Sequence, residues 1–138
     1  MDVTMIGLDI AKSVFQLHGI DATGKVQLKR KLRRGELIAF FERQPRCTVV
    51  MEACGAAHHW ARVLGGLGHE LKLIAPEAVR PFVKRGKKND VADAAAICAA
   101  ASPPDAKFVA AKSLEQQGIL AMHSARSLLV KILGPVSS

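Results

Sequence analysis

The sequence predicts an α/β fold in which helices cover a mixed sheet, and two observations carry this prediction. Short segments of alternating or continuous apolar residues are typical of strands, and longer segments with apolar residues every three or four positions are typical of amphipathic helices. Three strand patterns come first, and helix and strand patterns alternate after them. This order favours a mixed sheet with helices packed on its faces.

The first three elements form an antiparallel meander. Residues 3–10 are nearly all apolar, as in a central strand that is covered on both faces. Residues 13–20 and 25–32 alternate between apolar and polar side chains, and a turn signal at 21–24 separates them. The chain therefore reverses direction between neighbouring strands.

Alternating helices and strands follow the meander. Their apolar spacing and the prolines and glycines at their ends predict helix 35–43, strand 47–51, helix 56–67, strand 70–75, a short helix 76–85 that Pro81 interrupts, and helices at about 90–101 and 113–133. Five strands in this order predict an RNase H-like fold: a mixed five-stranded sheet flanked by helices, with a C-terminal helix.

The composition favours a nucleic-acid partner. A chain of 138 residues, 49% of them hydrophobic, can bury the core of one domain, and its formal charge of +8 suits a partner that carries phosphate. No apolar run approaches the roughly 18 residues of a membrane span. The N-terminus also lacks the basic-then-apolar order of a signal peptide. We therefore expect a cytoplasmic protein that does not associate with membranes.

Two acidic residues end predicted buried strands. Asp9 lies at the end of the first strand and Glu52 at the end of the fourth. A carboxylate in such a setting is costly to bury unless it is paired or binds a metal ion. If the two strands pair in parallel, they lie about 4.8 Å apart and present both carboxylates at one edge, where ligand sites form in open α/β sheets.

A second acidic pair opens the Ala-rich helix. Asp90 and Asp93 are three residues apart and therefore share one helix face. Four carboxylates that meet at one point repel each other, and a divalent cation removes that repulsion. Hard oxygen ligands select Mg²⁺ or Mn²⁺, and two such ions about 4 Å apart can assist phosphodiester chemistry.

Each of these acids also has a structural interpretation. Asp9 could pair with Lys12, and Glu52 could accept N–H groups at the start of the next helix. Asp90 could be an N-cap, and Asp93 a first-turn acid that the helix dipole favours. The combined pattern, rather than any single residue, indicates a metal site.

The segments around the acids resemble one known family. Gly-Leu-Asp9-Ile-Ala-Lys12, Val-Val-Met-Glu52-Ala-Cys-Gly55, Lys-Lys-Asn-Asp90-Val-Ala-Asp93-Ala and the stretch 75–85 are similar to those of the DEDD-type insertion-sequence transposases. These are bridge-RNA-guided recombinases with a RuvC-like N-terminal domain. The resemblance runs from about residue 4 to 131 and is specific because four motifs occur in the right order.

The resemblance implies both a site and a reaction class. Asp9, Glu52, Asp90 and Asp93 would be the catalytic, metal-binding acids of a domain that acts in DNA transposition, with DNA and a guide RNA as partners. Residues 1–111 would form the RuvC-like domain. Residues 112–138 would begin a helical region that stops before the family's C-terminal transposase domain, so DNA cleavage and joining would be incomplete without that domain.

Two basic stretches are candidates for nucleic-acid contacts. The stretch 79–88 leads directly into Asp90. We predict that it binds the nucleic-acid backbone through Lys84, Arg85, Lys87 and Lys88. Lys12, near Asp9, is a further predicted contact. A solvated surface is the alternative. The first stretch, 25–34, could also be an edge strand whose lysines block aggregation.

The apolar side of helix 113–133 favours packing on another subunit or domain, so we expect a homo-oligomer in the full-length protein.

Other functions compete with a transposase. A non-catalytic nucleic-acid-binding module would keep the fold without the chemistry. A Holliday-junction-resolvase-like nuclease shares the fold and four acids. A sugar-kinase-like ATPase also begins with an acid on its first strand, but it usually needs glycine and hydroxyl residues after that acid, where this chain has Ile10, Ala11 and Lys12.

Overall fold

The chain folds in the element order that the sequence predicts. The computed structural model describes residues 2–11, 13–83 and 90–110, with the backbone alone at 90–92. Its strands are β1 (Met5–Ile10), β2 (Val14–Ile20), β3 (Val26–Arg33), β4 (Thr48–Glu52), β5 (Glu70–Ile74) and β6 (Phe108–Val109). Its helices are α1 (Arg34–Arg43), α2 (Gly55–Gly65), α3 (Pro76–Val79) and α4 (Asp90–Ala101), with one 3₁₀ turn at Arg80–Phe82.

The described strands form a single mixed sheet in the order β3-β2-β1-β4-β5-β6. The three central strands β1, β4 and β5 are parallel, whereas β2, β3 and β6 are antiparallel to their neighbours. Three meander strands followed by parallel strands with helical crossovers confirm the α/β, RNase H-like class. The sheet has six strands rather than the five that the sequence predicted.

The additional strand, β6, lies at the edge beside β5. It pairs Val109 with Leu73 and Phe108 with Ile74. The Lys72 ammonium lies 4.7 Å from the centre of the Phe108 ring, a cation–π contact that helps to hold the strand. Two partly exposed residues are too few to show a strand period, which is why the sequence pattern did not reveal β6.

Helices α1 and α2 cover one face of the sheet. Their apolar sides and the inward residues of β1, β2 and β4 form the main core, which includes Ile6, Leu8, Phe15, Leu17, Leu37, Phe41, Val49, Met51, Trp60 and Leu64. The Phe15 and Trp60 rings meet edge to face with centroids 5.2 Å apart. This core fixes which face of each strand points towards α1 and α2, and so which residues point the other way.

Helix α4 covers the opposite face. A smaller core there joins the sheet residues Val50 and Ile74 to α3 and α4, through Val79, Ala96, Ile97, Ala100 and Ala101. The small side chains of α4 let its backbone lie close to the sheet. Asp9 lies two residues after Gly7, and Glu52 lies two residues after Val50, so both acids point to the face that α4 covers. This face therefore carries the candidate site.

The segment after β5 differs from the helix predicted over 76–85. It is α-helical only from Pro76 to Val79 and then tightens into the 3₁₀ turn Arg80–Phe82. Pro81 has no backbone N–H to donate, so it cannot continue an α-helical hydrogen-bond ladder. The helix predicted at 113–133 lies outside the described residues. Within the described part of the chain, no helix is long and apolar enough to span a membrane.

Candidate metal site

Asp9 and Glu52 lie at neighbouring strand ends on one face of the sheet. Strands β1 and β4 pair in parallel, and their last matched residues are Leu8 and Met51. Asp9 and Glu52 come one residue later on each strand, so they share a face and are separated by roughly one strand spacing of about 4.8 Å along the backbone. The predicted parallel pairing of these two strands is confirmed.

Helix α4 crosses this same face and contributes Asp93. It approaches most closely at Gly7, where a Cβ atom would lie 2.5 Å from the Ala94 carbonyl oxygen and 3.0 Å from the Cys98 amide nitrogen. Asp93 precedes Ala94 and is half-buried. Gly7 therefore lets α4 pack directly on β1, and this packing brings Asp93 to the end of the sheet where Asp9 and Glu52 lie.

The electrostatics show that Glu52 and Asp93 interact. Burial raises the pKa of Glu52, and the negative charge of Asp93 raises it further. The Arg80 guanidinium opposes this effect, while Glu77 adds to it. When a neighbouring carboxylate raises the pKa of a carboxyl group, a bound cation would reduce the repulsion between the two negative charges.

Glu52, Arg80 and Asp93 line one open cleft. Its volume is about 370 Å³, and it is lined by Glu52, Pro76, Val79, Arg80, Val83 and Asp93. Two acids and one arginine converge there on a floor of apolar residues. The donors are all carboxylate oxygens, which is the ligand type that Mg²⁺ and Mn²⁺ prefer. The described residues thus fit part of a hard-cation site.

The structure brings Glu52 and Asp93 to one cleft and places Asp9 at the neighbouring strand end. Asp90 is the first residue of α4, but its side chain is outside the described part of the molecule. Among the side chains that are described, no three histidine, cysteine or acidic groups lie close enough to hold a metal ion. The four-acid metal set therefore stays a prediction.

The predicted nucleic-acid contacts fall outside the described residues. This applies to all five of them: Lys12, Lys84, Arg85, Lys87 and Lys88. The structure does show where their segments attach. Lys12 follows β1 immediately after the Asp9 end, and the segment 84–89 joins the 3₁₀ turn at the cleft to the start of α4. In the sequence, the predicted contacts therefore follow Asp9 and precede Asp90.

Sequence reasoning did not include Arg80 or Glu77 in the site. Both act on the pKa of Glu52, and Arg80 lines the cleft. A signal was present, because both residues follow β5, the next parallel strand after β4, whose C-terminal end lies at the same edge of the sheet. Arg80 also begins the basic stretch that leads to Asp90.

Comparison with known proteins assigns a family. A family model described as a transposase, the DEDD type of IS110 elements, matches residues 6–133. The chain belongs to the IS110-type DEDD transposase family. The match confirms the resemblance seen around Asp9, Glu52 and Asp90, and it favours a transposase over the resolvase and sugar-kinase alternatives.

Curated relatives agree with this family. The chain is 52% identical over 131 residues to a Pseudomonas aeruginosa protein named "Probable family 20 transposase". It is 43% identical to the transposase for insertion sequence element IS1328 of Yersinia enterocolitica and 45% identical to that for IS1111A of Coxiella burnetii, each over 130 residues. These alignments cover 94–95% of the chain but only 38%, 39% and 35% of the three relatives, respectively.

Proposed function

We propose that this chain is the metal-binding acidic domain of a DNA transposase and acts in transposition through divalent-metal-assisted phosphodiester chemistry. We further propose that residues 1–111 form this RuvC-like domain. The matches cover only 38% and 35% of two of the relatives. In this proposal, the complete cleavage and joining reaction also requires the part of the transposase that lies outside the matched region.

One observation carries the proposal. Asp9, Glu52 and Asp93 are far apart in sequence, yet β1, β4 and α4 bring them to one end of one sheet face. Burial first, and then the nearby charge of Asp93, raise the pKa of Glu52, so both its burial and its acidic neighbour disfavour its ionised form. The order Asp, Glu, Asp, Asp along the chain also matches the four letters of the family's name.

Mg²⁺ or Mn²⁺ would be held by Asp9, Glu52, Asp90 and Asp93. When bound, such an ion polarises a phosphodiester oxygen and activates the attacking water or hydroxyl. The protein supplies a rigid arrangement of oxygen ligands, because two of them come from paired strands and two from a helix packed on those strands. Arg80 offers a positive charge at the cleft for a phosphate oxygen.

DNA is the proposed substrate. Lys12, Lys84, Arg85, Lys87 and Lys88 would hold its backbone beside the acids, consistent with the net charge of +8. A guide RNA and a homo-oligomer of the full-length protein remain further predictions of the same proposal.

Thermal unfolding of three proteins, each in chelator and in Mn²⁺, tests the metal site. The proteins are the wild type, Asp93→Asn, and Asp105→Asn as a control at an exposed acid away from the cleft. In chelator, Asp93→Asn is expected to be at least as stable as the wild type, because it removes a charge that repels Glu52. In Mn²⁺ at a hundredfold excess over the dissociation constant, the wild type and the control should gain about 2.7 kcal/mol.

The Asp93→Asn protein should gain much less, and Asp9→Asn should behave in the same way. Equal stabilisation of all the proteins by Mn²⁺ would mean that the ion binds elsewhere. If none of them responds, the metal-binding proposal for this chain is wrong.

A non-catalytic nucleic-acid-binding module is the second candidate. It is favoured by the net charge of +8, which suits a nucleic-acid partner whether or not the domain carries out chemistry. Salt-dependent DNA binding with no response to Mn²⁺ would support this alternative.

A further inference from the structure

The edge strand β3 carries a row of cations on the same sheet face as the acids. In the pairing of β2 with β3, His18 lies opposite Lys29, Gln16 opposite Lys31 and Val14 opposite Arg33. Directly opposed residues of antiparallel strands share a face. We call Lys29, Lys31 and Arg33 the basic row.

The pairing continues from the basic row to the acidic end of β1. Asp9 lies opposite Gln16, and Gly7 lies opposite His18. Asp9, Gln16 and Lys31 therefore form one line across three neighbouring strands. At about 4.8 Å for each strand spacing, the backbone of Lys31 is about 10 Å from that of Asp9.

Two further observations fix the direction of these side chains. The charge of Lys29 adds to burial in lowering the pKa of His18, so Lys29 lies near His18 on the α4 face. In contrast, the Arg30 guanidinium lies over the Phe40 ring, 5.5 Å from its centre, and Leu32 is buried in the core under α1. Alternate side chains of β3 therefore point to opposite faces of the sheet, and those of the basic row point to the face that carries the acids.

The basic row is exposed and lies on an ordered strand. Lys29, Lys31 and Arg33 are all exposed, and β3 pairs with β2 from Leu28 to Arg33 and, after a register shift, at Val26. Gln16 is buried, and its Nε2 donates to the Arg30 carbonyl oxygen at 2.9 Å, which fastens the edge strand from the same face. The backbone that carries these cations is already ordered, so binding a partner has to order only their side chains.

The spacing fits a phosphate backbone. Alternate residues of a strand lie about 6.8 Å apart, so Lys29 to Arg33 spans about 14 Å. One strand of duplex DNA presents about four phosphates over that length. Residues 25–35 contain no acid, and the next acid along the chain, Glu36, accepts from the Arg33 backbone amide at 2.8 Å.

We propose that the basic row binds the phosphate backbone of duplex DNA that also reaches the acidic end of β1. The proposal rests on DNA as the substrate of the proposed function. It adds a contact surface to those predicted for Lys12 and the segment 84–89. Lysines that only protect an edge strand from pairing with other chains would not need to share the face of the acids.

Neighbouring residues of β3 provide a matched test. Lys31→Gln and Arg30→Gln each remove one positive charge from the same strand, but from opposite faces. The measurement is the binding of a labelled DNA duplex to the full chain in chelator, over a series of salt concentrations. The slope of log affinity against log salt should fall in magnitude by about 0.9 for Lys31→Gln and by about 1.8 for Lys29→Gln/Lys31→Gln.

Arg30→Gln should leave that slope unchanged while lowering thermal stability, because it loses the contact with Phe40. Equal slopes for Lys31→Gln and the wild type would overturn the proposal, and so would a slope change as large in Arg30→Gln. Failure of the wild type to bind the duplex would also overturn it. If only an RNA duplex of the same length shows the slope change, the row binds RNA and the DNA proposal is wrong.

The chelator separates this test from that of the metal site. If the basic row does not bind DNA, the wild type should still be stabilised by Mn²⁺. If the acids do not bind a metal ion, Lys31→Gln and Arg30→Gln should still differ in the salt dependence of DNA binding.

Discussion

Asp21 organises the turn between β2 and β3. Its carboxylate accepts hydrogen bonds from the Thr23 hydroxyl and amide, from the Lys25 amide at 3.1 Å and from Gln27 Nε2 at 2.8 Å. Gly24 takes a positive φ of 88° within this turn, a conformation that glycine adopts without steric cost. The turn sets the antiparallel return of β3 and therefore the position of the basic row.

The turn gives a pH prediction. The Thr23 hydroxyl hydrogen bond, assisted by the bonds from Gln27, the Thr23 amide and Lys25, lowers the pKa of Asp21 from 3.8 to about 2. Because the folded pKa is depressed, the stabilisation is complete above 3.8 and is lost as pH falls towards about 2. In urea unfolding, Asp21→Ala should be less stable than the wild type at pH 7, and the difference should shrink across this window. A difference that does not change with pH would contradict the prediction.

His69 shows a polar residue whose role is structural. It is buried, its Nδ1 accepts from the Cys47 amide at 3.3 Å, and its Nε2 lies 2.7 Å from the Phe41 carbonyl oxygen. The ring therefore joins the end of α1 to the start of β4. Sequence alone supported no assignment for this histidine, because both partners are more than twenty residues away.

At the scale of elements, the contact between β1 and α4 determines the candidate site. A glycine in the middle of a buried strand usually weakens it. Here Gly7 is required, since any side chain would collide with the Ala94 carbonyl and with Cys98. Asp93 reaches the sheet end because α4 can lie this close.

Gly7→Ala tests this packing, with Gly35→Ala as the control. The methyl group at position 7 meets backbone atoms that cannot rotate away, so we expect a loss of about 1–3 kcal/mol in the free energy of unfolding. The Mn²⁺-dependent stabilisation should also weaken, because α4 moves away from β1. At Gly35, in α1, an added Cβ meets nothing within 4 Å.

Gly35→Ala should therefore match the wild type or gain up to about 1 kcal/mol, since alanine restricts the unfolded chain. Chemical denaturation measures both variants. Equal stability of Gly7→Ala and Gly35→Ala would show that α4 does not pack on β1 as described.

At the scale of the whole molecule, one sheet separates two kinds of surface. The face under α1 and α2 is a core of large apolar side chains, and the face under α4 carries the acids and, at its edge, the basic row. All six described strands end by Val109. The parallel strands β1, β4 and β5 lie at the centre, so their C-terminal ends form one continuous edge for the site.

A chain shortened to residues 1–111 should therefore fold by itself. It keeps every described strand and helix and all four predicted acids. We expect cooperative thermal unfolding and a Mn²⁺ response within error of that of the 138-residue chain. Loss of cooperative unfolding would show that residues 112–138 belong to the same domain and that the predicted boundary is wrong.

The sequence by itself determined the order of strands and helices, the α/β class, and the placement of Asp9 and Glu52 at strand ends. These features depend on local periodicity and on turn residues such as those at 21–24, which act over a few positions. The family resemblance, carried by four short motifs, was also available from the sequence and is confirmed.

Only the tertiary structure decided which of these elements meet. It added β6, placed Arg80 beside Glu52 and showed that the basic row lies on the sheet face that carries the acids. Each of these features depends on contacts between residues that are distant in sequence. Such contacts follow from how closely two backbones can approach, as at Gly7, and no local pattern along the chain encodes that distance.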